Sequence, residues 1–191
     1  VDITGGAQIA IHLNRGDGTF VQGAVLDAAG LETAEDLNDD GAPDLILQYD
    51  DLSILLNNGD GTFAGETIYD TPLSPDFLRI ADLDRDGDPD LIMPCSLFVI
   101  CDPFPCPPPD SSLTIFLNNG DGTFGEAVNH PMDFGGEFEL EVSDLDGDDA
   151  PDLVLYPYDS VLLYFNDGAG VFPSVVEYGP DLLNELVGIV D

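Results

Sequence analysis

Lysine and tryptophan are absent from this 191-residue chain, and arginine occurs only as Arg15, Arg79 and Arg85. Against these three cations stand 39 acidic residues, giving a formal net charge of −36. A field of that sign repels phosphate backbones and anionic headgroups, so neither nucleic acid nor an anionic membrane is an expected partner. No apolar run approaches the ~18 residues of a spanning helix, so no membrane insertion is expected either. Cysteine is scarce and confined: Cys95, Cys101 and Cys106 all lie in one Pro-rich stretch, PCSLFVICDPFPCPPPDSS, residues 94–112. They are close enough in sequence for one short-loop disulfide in an oxidising compartment, and all three pairings stay open. A zinc site there lacks a fourth Cys or His nearby. No Asn-x-Ser/Thr acceptor occurs, and only composition hints at O-linked sugar around Ser111, Ser112 and Thr114.

Catalytic motifs are missing as well. There is no nucleophile elbow, phosphate loop or zinc-protease helix, and His12 and His130 stand alone. Two carboxylates suffice for glycoside hydrolysis, so an acidic chain always contains the inventory for it. Here most acids belong to repeated loops, and no distinctive acid pair is left over. The expectation is a non-catalytic protein.

What the chain does have is one loop written three times, Asp36–Asp44 (DLNDDGAPD), Asp82–Asp90 (DLDRDGDPD) and Asp144–Asp152 (DLDGDDAPD). Oxygen-bearing side chains at positions 1, 3, 5 and 9 let a tight loop aim them at one centre, as a hard cation with six to eight oxygen ligands requires. Asp, Asn and Gly are also ordinary turn residues, but three matched copies argue for calcium. The helical alternative, an EF-hand, needs a bidentate Glu at position 12, where this chain has Leu47, Met93 and Leu155. Each loop runs instead into apolar residues, DLILQY, DLIMPC and DLVLYP, that read as buried strand.

A second signature keeps step with the first. NRGDGTF at 14–20, NNGDGTF at 57–63 and 118–124, and NDGAGVF at 166–172 each follow an apolar run. Asn-Gly and Asp-Gly steps between such runs are hairpin signals, because these residues accept the positive φ of tight turns. Period two puts Ile11 and Leu13 in register with Ile54 and Leu56, Ile115 and Leu117, and Leu163 and Phe165 on one strand face. Between them fall His12, Leu55, Phe116 and Tyr164, so the opposite face reads as covered and His12 as a packing variant rather than a ligand. The turns recur at intervals of 43, 61 and 48 residues, in the range of blades and stacked repeats. The long middle interval holds the 94–112 insertion, whose prolines do not suit a central strand. It is expected to protrude as a partner-contacting loop. The chain divides into four repeats, 1–35, 36–81, 82–143 and 144–191, in one all-β domain with apolar content, 43%, ample for a core.

The phrases ADLDRDGDPDLIM and IFLNNGDGTF resemble the FG-GAP and VCBS repeats of integrin-type β-propellers and of many bacterial surface proteins. The resemblance implies four-stranded blades, in a closed propeller or an open array, with calcium held in the loop between two strands. It implies side-chain ligands Asp36, Asn38, Asp40 and Asp44 in the first loop, Asp82, Asp84, Asp86 and Asp90 in the second, and Asp144, Asp146, Asp148 and Asp152 in the third. The backbone carbonyls of Ala42, Asp88 and Ala150 would complete about three sites. Position 6 is Gly41 and Gly87 in two loops but Asp149 in the third, a departure at a sharp turn. Asp2 and Asp191 are candidates for partial sites, as position 9 and position 1 of loops that lie mostly outside the sequence, and the chain reads as repeats cut from a longer array.

These readings imply an extracellular or cell-surface scaffold, stiffened by calcium, for adhesion or for binding a protein or glycan. Two alternatives remain: a structural subunit of a fibre assembled from copies of itself, and an accessory domain of a secreted carbohydrate-active enzyme. Adaptation to high salt would also produce an acid-rich, lysine-free surface, since charge sign speaks to solubility rather than fold.

Overall fold

The structure is a computed structural model, and it describes residues 8–26, 30–48, 51–71, 76–96, 111–132, 138–157 and 160–179. Asp2, Asp191, Cys101 and Cys106 lie outside the described residues. Among those described there are 14 strands and no helix. Strands β1 (Ile9–Asn14) and β2 (Phe20–Leu26) form a hairpin. Strands β3 (Leu31–Glu35), β4 (Asp44–Gln48), β5 (Leu52–Leu55) and β6 (Thr67–Tyr69) make a four-stranded antiparallel meander. So do β7 (Arg79–Ala81), β8 (Asp90–Ser96), β9 (Ser111–Phe116) and β10 (Val128–Met132), and then β11 (Glu139–Ser143), β12 (Asp152–Tyr156), β13 (Val161–Phe165) and β14 (Ser174–Tyr178). The acidic loop always joins the first and second strands of a meander. Each sheet therefore begins before its loop, a few residues ahead of the repeat boundaries drawn at Asp36, Asp82 and Asp144.

The strands that follow the first two loops are apolar on both faces because their sheets are sandwiched between others. Leu45 and Leu47 of β4 pack with Ile9, Ile11 and Leu26 of the hairpin. Ile46, one residue out of phase, turns to Leu91, Met93 and Phe116 of the next sheet. Ile92 of β8, again out of phase, joins Leu153, Leu155 and Tyr164 of the last. Period-two alternation thus feeds successive interlayer cores from one strand. Burying each such side chain contributes about 1.5–3 kcal/mol, offset by the ordering of the chain.

Two sequence expectations are altered. His12 is exposed rather than packed: its counterparts Leu55, Phe116 and Tyr164 are buried against the sheet before them, and the hairpin has no such neighbour among the described residues. Pro94, with Cys95 and Ser96, lies in the central strand β8, paired with Leu113, Ser112 and Ser111, so 94–96 and 111–112 are sheet rather than insertion. Proline fits there because its carbonyl accepts from Asp76 N at 2.8 Å. Its missing N–H faces the same side, past the end of β7, where no ladder bond is due. Cys95 is a buried free thiol, pushed up to about 11 by burial. The two pairings that use Cys95 are not formed, and the rest of the insertion lies outside the described residues.

The four turns share one construction. In each, the leading Asn accepts from the N–H two residues on, at Gly16, Gly59, Gly120 and Gly168. A backbone bond then closes the turn, Arg15 N to Thr19 O, Asn58 to Thr62, Asn119 to Thr123 and Asp167 to Val171. In three of them an Asp accepts from both the N–H and hydroxyl of a Thr, and these bonds, the hydroxyl's first, hold Asp17, Asp60 and Asp121 below the usual carboxylate range. The second glycine of the turn also meets the preceding repeat. A Cβ on Gly61 would stand 2.8 Å from Leu13 Cδ1, on Gly122 2.6 Å from Leu56 Cδ2, and on Gly170 2.7 Å from Leu117 Cδ2.

Gly18, in the first turn, has φ +85° and nothing within 4 Å of that position, whereas Gly122 has φ +77° and Leu56 against it. Substitution by Ala at either site costs about 1–2 kcal/mol for the left-handed backbone, and Gly122→Ala costs about 1–3 kcal/mol more for overpacking. Urea denaturation of the two variants should rank them in that order; equal losses would show that Leu56 yields freely and that the contact sets no spacing between repeats.

Candidate functional site

Each acidic loop leaves the first strand of its sheet and must reverse within eight residues to enter the second. Two left-handed residues do this, at positions 4 and 6. They are Asp39 (φ 54°) and Gly41 (φ 84°), Arg85 (63°) and Gly87 (99°), and Gly147 (85°) and Asp149 (69°). One of each pair is glycine, and in the third loop the order is swapped. Asp149 therefore adopts the conformation its position demands, and its N–H donates to Asp144 Oδ2 at 3.1 Å, as Gly41 N does to Asp36 Oδ2 at 2.8 Å.

Carboxylates are turned inward by the loop's own N–H groups. Position 3 accepts from position 5: Asp40 N to Asn38 Oδ1 at 3.2 Å, Asp86 N to Asp84 at 3.2 Å and Asp148 N to Asp146 at 3.2 Å. Position 5 accepts from position 7: Ala42 N to Asp40 at 2.8 Å, Asp88 N to Asp86 at 2.9 Å and Ala150 N to Asp148 at 2.8 Å. Position 1 accepts from position 6, through Gly87 N to Asp82 Oδ2 at 3.1 Å in the second loop. Asp82 Oδ1 is buried and has no hydrogen-bond partner, an uncommon state for a carboxylate oxygen.

Two groups of acids converge. Asp82, Asp84 and Asp86 each bring a carboxylate oxygen within 4.8 Å of the others, as do Asp144, Asp146 and Asp152. Ligands 2.3–2.6 Å from one cation lie at most about 5 Å apart, so both groups suit a metal ion, and Asp82 Oδ1 supplies an oxygen otherwise unsatisfied. In the first loop Asn38 stands where the others have acid, and Asp36, Asp40 and Asp44 form no such acidic triplet among the described residues. Burial, with smaller contributions from neighbouring carboxylates, raises Asp84 and Asp146.

The ninth residue is buried in all three loops, Asp44, Asp90 and Asp152 at 0% exposure. One oxygen accepts from position 2 of its loop, Leu37 N at 3.0 Å, Leu83 N at 2.7 Å and Leu145 N at 2.8 Å. The other accepts from the turn asparagine, Asn57 N at 2.7 Å, Asn118 N at 2.8 Å and Asn166 N at 2.8 Å. Those asparagines escape a sequence reading that treats them only as turn formers; their constant place after the loop, one per repeat, is the signal. Their side chains also reach backwards: Asn118 Nδ2 donates to Leu37 O at 2.8 Å and Asn166 Nδ2 to Leu83 O at 2.7 Å, both in the loop of the previous repeat. The second and third loops are tied again by Arg85, whose guanidinium donates to Asp148 O at 2.9 Å. Asp88 leans over Gly120 of the next turn.

Residues 36–93, from the first loop through the second and into β8, match the family described as the FG-GAP-like repeat. The chain thus carries an FG-GAP-like repeat within an all-β fold of blade-type sheets. No curated protein matches the chain. Among solved structures, one described as an Agrocybe aegerita lectin in specific recognition of non-reducing terminal N-acetylglucosamine aligns at 23% identity with a TM-score of 0.37. The alignment covers 90% of this chain and 60% of that one, so the chain spans 60% of the lectin's length.

Two outcomes follow for the loops. Asp149→Gly removes a left-handed aspartate without touching a bond that a backbone N–H makes, and thermal denaturation should show a gain of about 1 kcal/mol; a loss would mean the Asp149 side chain supports the loop. The second concerns pH. In metal-free protein, burial first, then the nearby Asp84 and Asp86, pushes Asp90 up from 3.8 to about 6 despite its two N–H donors, and Asp44 is raised likewise by burial. A carboxyl raised in the folded state keeps its proton where the unfolded chain has lost it, so its contribution is full below pH 3.8 and vanishes as pH rises through about 6. Urea midpoints in chelator should fall as pH rises from about 4 to about 6; a midpoint that rises over that interval contradicts the burial account.

Proposed function

We propose that the three loops are calcium sites and that the protein is a non-catalytic, calcium-stabilised β scaffold that works outside the cell. The observation that carries this reading is the convergence of Asp82, Asp84 and Asp86, and of Asp144, Asp146 and Asp152, with an unpartnered oxygen at Asp82. Oxygen-only donor sets suit hard cations, and flexible carboxylate loops suit calcium above magnesium, which keeps most of its water. In this reading Asp36, Asn38 and Asp40 hold a third ion in the same manner. Extracellular calcium lies in the millimolar range that fills such modules, and the cytosol would leave them empty.

The same chemistry gives the metal a mechanical role. Without a cation, three carboxylates share a small volume and repel, at roughly 1–4 kcal/mol per pair at these separations. A divalent ion replaces that repulsion by attraction and fixes the loop that joins the first two strands of each four-stranded sheet. The sheets then present their turns for contact with a protein or a glycan.

The test is thermal denaturation with and without chelator. Chelation should lower the Tm, calcium should restore it, and sodium at equal ionic strength should not. Asp86→Ala, which deletes a carboxylate of the second triplet, should lower calcium affinity more than Asp88→Ala, which leaves that triplet intact. An unchanged Tm after elemental analysis has verified metal removal, or equal effects of the two substitutions, would overturn the assignment.

A further inference from the structure

Arg85 stands at position 4 of the second loop, between Asp84 and Asp86, and its side chain leaves that loop for the next one. Its guanidinium Nη1 donates to Asp148 O, at position 5 of the third loop, at 2.9 Å. The same guanidinium lies over Gly168 of the fourth turn, where a Cβ would collide with it. Glycine there lets the arm cross.

The peptide that the arm grips also orients a carboxylate. A trans peptide points its C=O and N–H to opposite sides. Across the plane from the Asp148 carbonyl is the N–H of Asp149, which donates to Asp144 Oδ2 at 3.1 Å. Asp144 belongs to the Asp144–Asp146–Asp152 group. At the near end of the arm, the peptide that follows Arg85 carries the N–H of Asp86, which donates to Asp84 Oδ1 at 3.2 Å. Asp84 belongs to the Asp82–Asp84–Asp86 group. One side chain thus links two peptides, each of which orients a carboxylate of a different group. Asn166 runs alongside it: its N–H donates to Asp152 Oδ1 at 2.8 Å and its side-chain amide to Leu83 O at 2.7 Å. Because Arg85 donates to a carbonyl, that bond occupies no carboxylate of either group.

The joint between the first and second loops has the asparagine tie, from Asn118 to Leu37 O, but its position 4 is Asp39. Burial, then the charges of Asp86 and Asp39, raises Asp88 of the second loop. Like charges meet across that joint, where Arg85 makes an attractive bond across the next.

We propose that Arg85 couples the second and third loops, so that calcium held in one raises the affinity of the other; the coupling rests on the reading of both loops as calcium sites. An ordered second loop holds Arg85 in place, and the Asp148–Asp149 peptide then keeps its N–H toward Asp144. An ordered third loop fixes the carbonyl to which Arg85 donates. Each loop orders at lower cost once the other is ordered, and the effect is reciprocal.

Isothermal titration of the chelator-treated chain with calcium tests this as a cycle over the native chain, Asp86→Asn, Asp146→Asn and the double variant. The amide oxygen of each Asn keeps the bond accepted from Asp88 N or Asp148 N, while each substitution takes a carboxylate from one loop alone. The first loop is common to all and cancels, as does any change confined to one loop, so the ratio of overall binding constants reads the coupling. That ratio should be about fivefold or more, the lower end of coupling between sites. Arg85→Gly suits the left-handed backbone at φ 63° and removes the arm, and it should bring the ratio down toward one. Arg85→Lys, which keeps a donor for one carbonyl, should fall between. Circular dichroism of each sample verifies the fold. A chain that binds no calcium would overturn the coupling together with the sites. Calcium bound with a ratio near one in the native chain, or with the native ratio in Arg85→Gly, would overturn the coupling and leave the sites standing.

Discussion

The buried carboxylate at the ninth position of each loop is the interaction on which the rest of the structure depends. Asp44, Asp90 and Asp152 each sit at the start of a central strand and accept one backbone N–H from their own loop and one from the asparagine of the turn that follows the adjacent strand. A single side chain thereby fixes where the loop ends, where the strand begins and where the turn of the same sheet lies. Two N–H donors are what a desolvated carboxylate needs to remain in the interior. The turn asparagine, anchored in this way, is left with its amide free to reach the previous repeat. Repeat-to-repeat spacing follows from the loop chemistry and not from the apolar core alone.

This chain's charge makes the arrangement conditional. With three arginines and no lysine, it has almost no cations to place beside its acids. Arg79 donates to Leu140 O at 3.2 Å and lies over the Phe77 ring, and Arg85 bridges to Asp148 O, so two of the three arginines are spent joining the third and fourth sheets. The acids inside the loops are held by backbone N–H groups instead. Those bonds orient the carboxylates without neutralising them, and in the proposed function a cation supplies the missing positive charge.

Much of this was legible in the sequence because it is written by local rules. The apolar runs after the loops are buried strands, and where a sheet is sandwiched both of its faces need Leu, Ile, Met and Val. The turns are turns because Asn and Gly accept positive φ. What the sequence hid is relational. Asn118 and Asn166 act on loops about eighty residues earlier, a contact no window reveals. His12 occupies a position where three counterparts are buried, yet it is exposed because burial there is conferred by the sheet before it. Pro94 sits in a central strand because the side its ring blocks has run past the neighbouring strand. Asp149 and Gly147 exchange the roles of positions 4 and 6, which a rule that looks for glycine at one position misses. Of the metal candidates, the structure groups six acids into two triplets and places the remaining loop residues as hydrogen-bonded neighbours.

The most direct test of calcium as the organising ligand is an anomalous difference map from crystals of the calcium-grown protein, collected at long wavelength where calcium scatters anomalously. The account predicts peaks inside the Asp82–Asp84–Asp86 and Asp144–Asp146–Asp152 groups, each with its carboxylate oxygens about 2.3–2.6 Å away, and a third within the first loop. Ordered water at those centres, with the carboxylates splayed toward solvent, would contradict it.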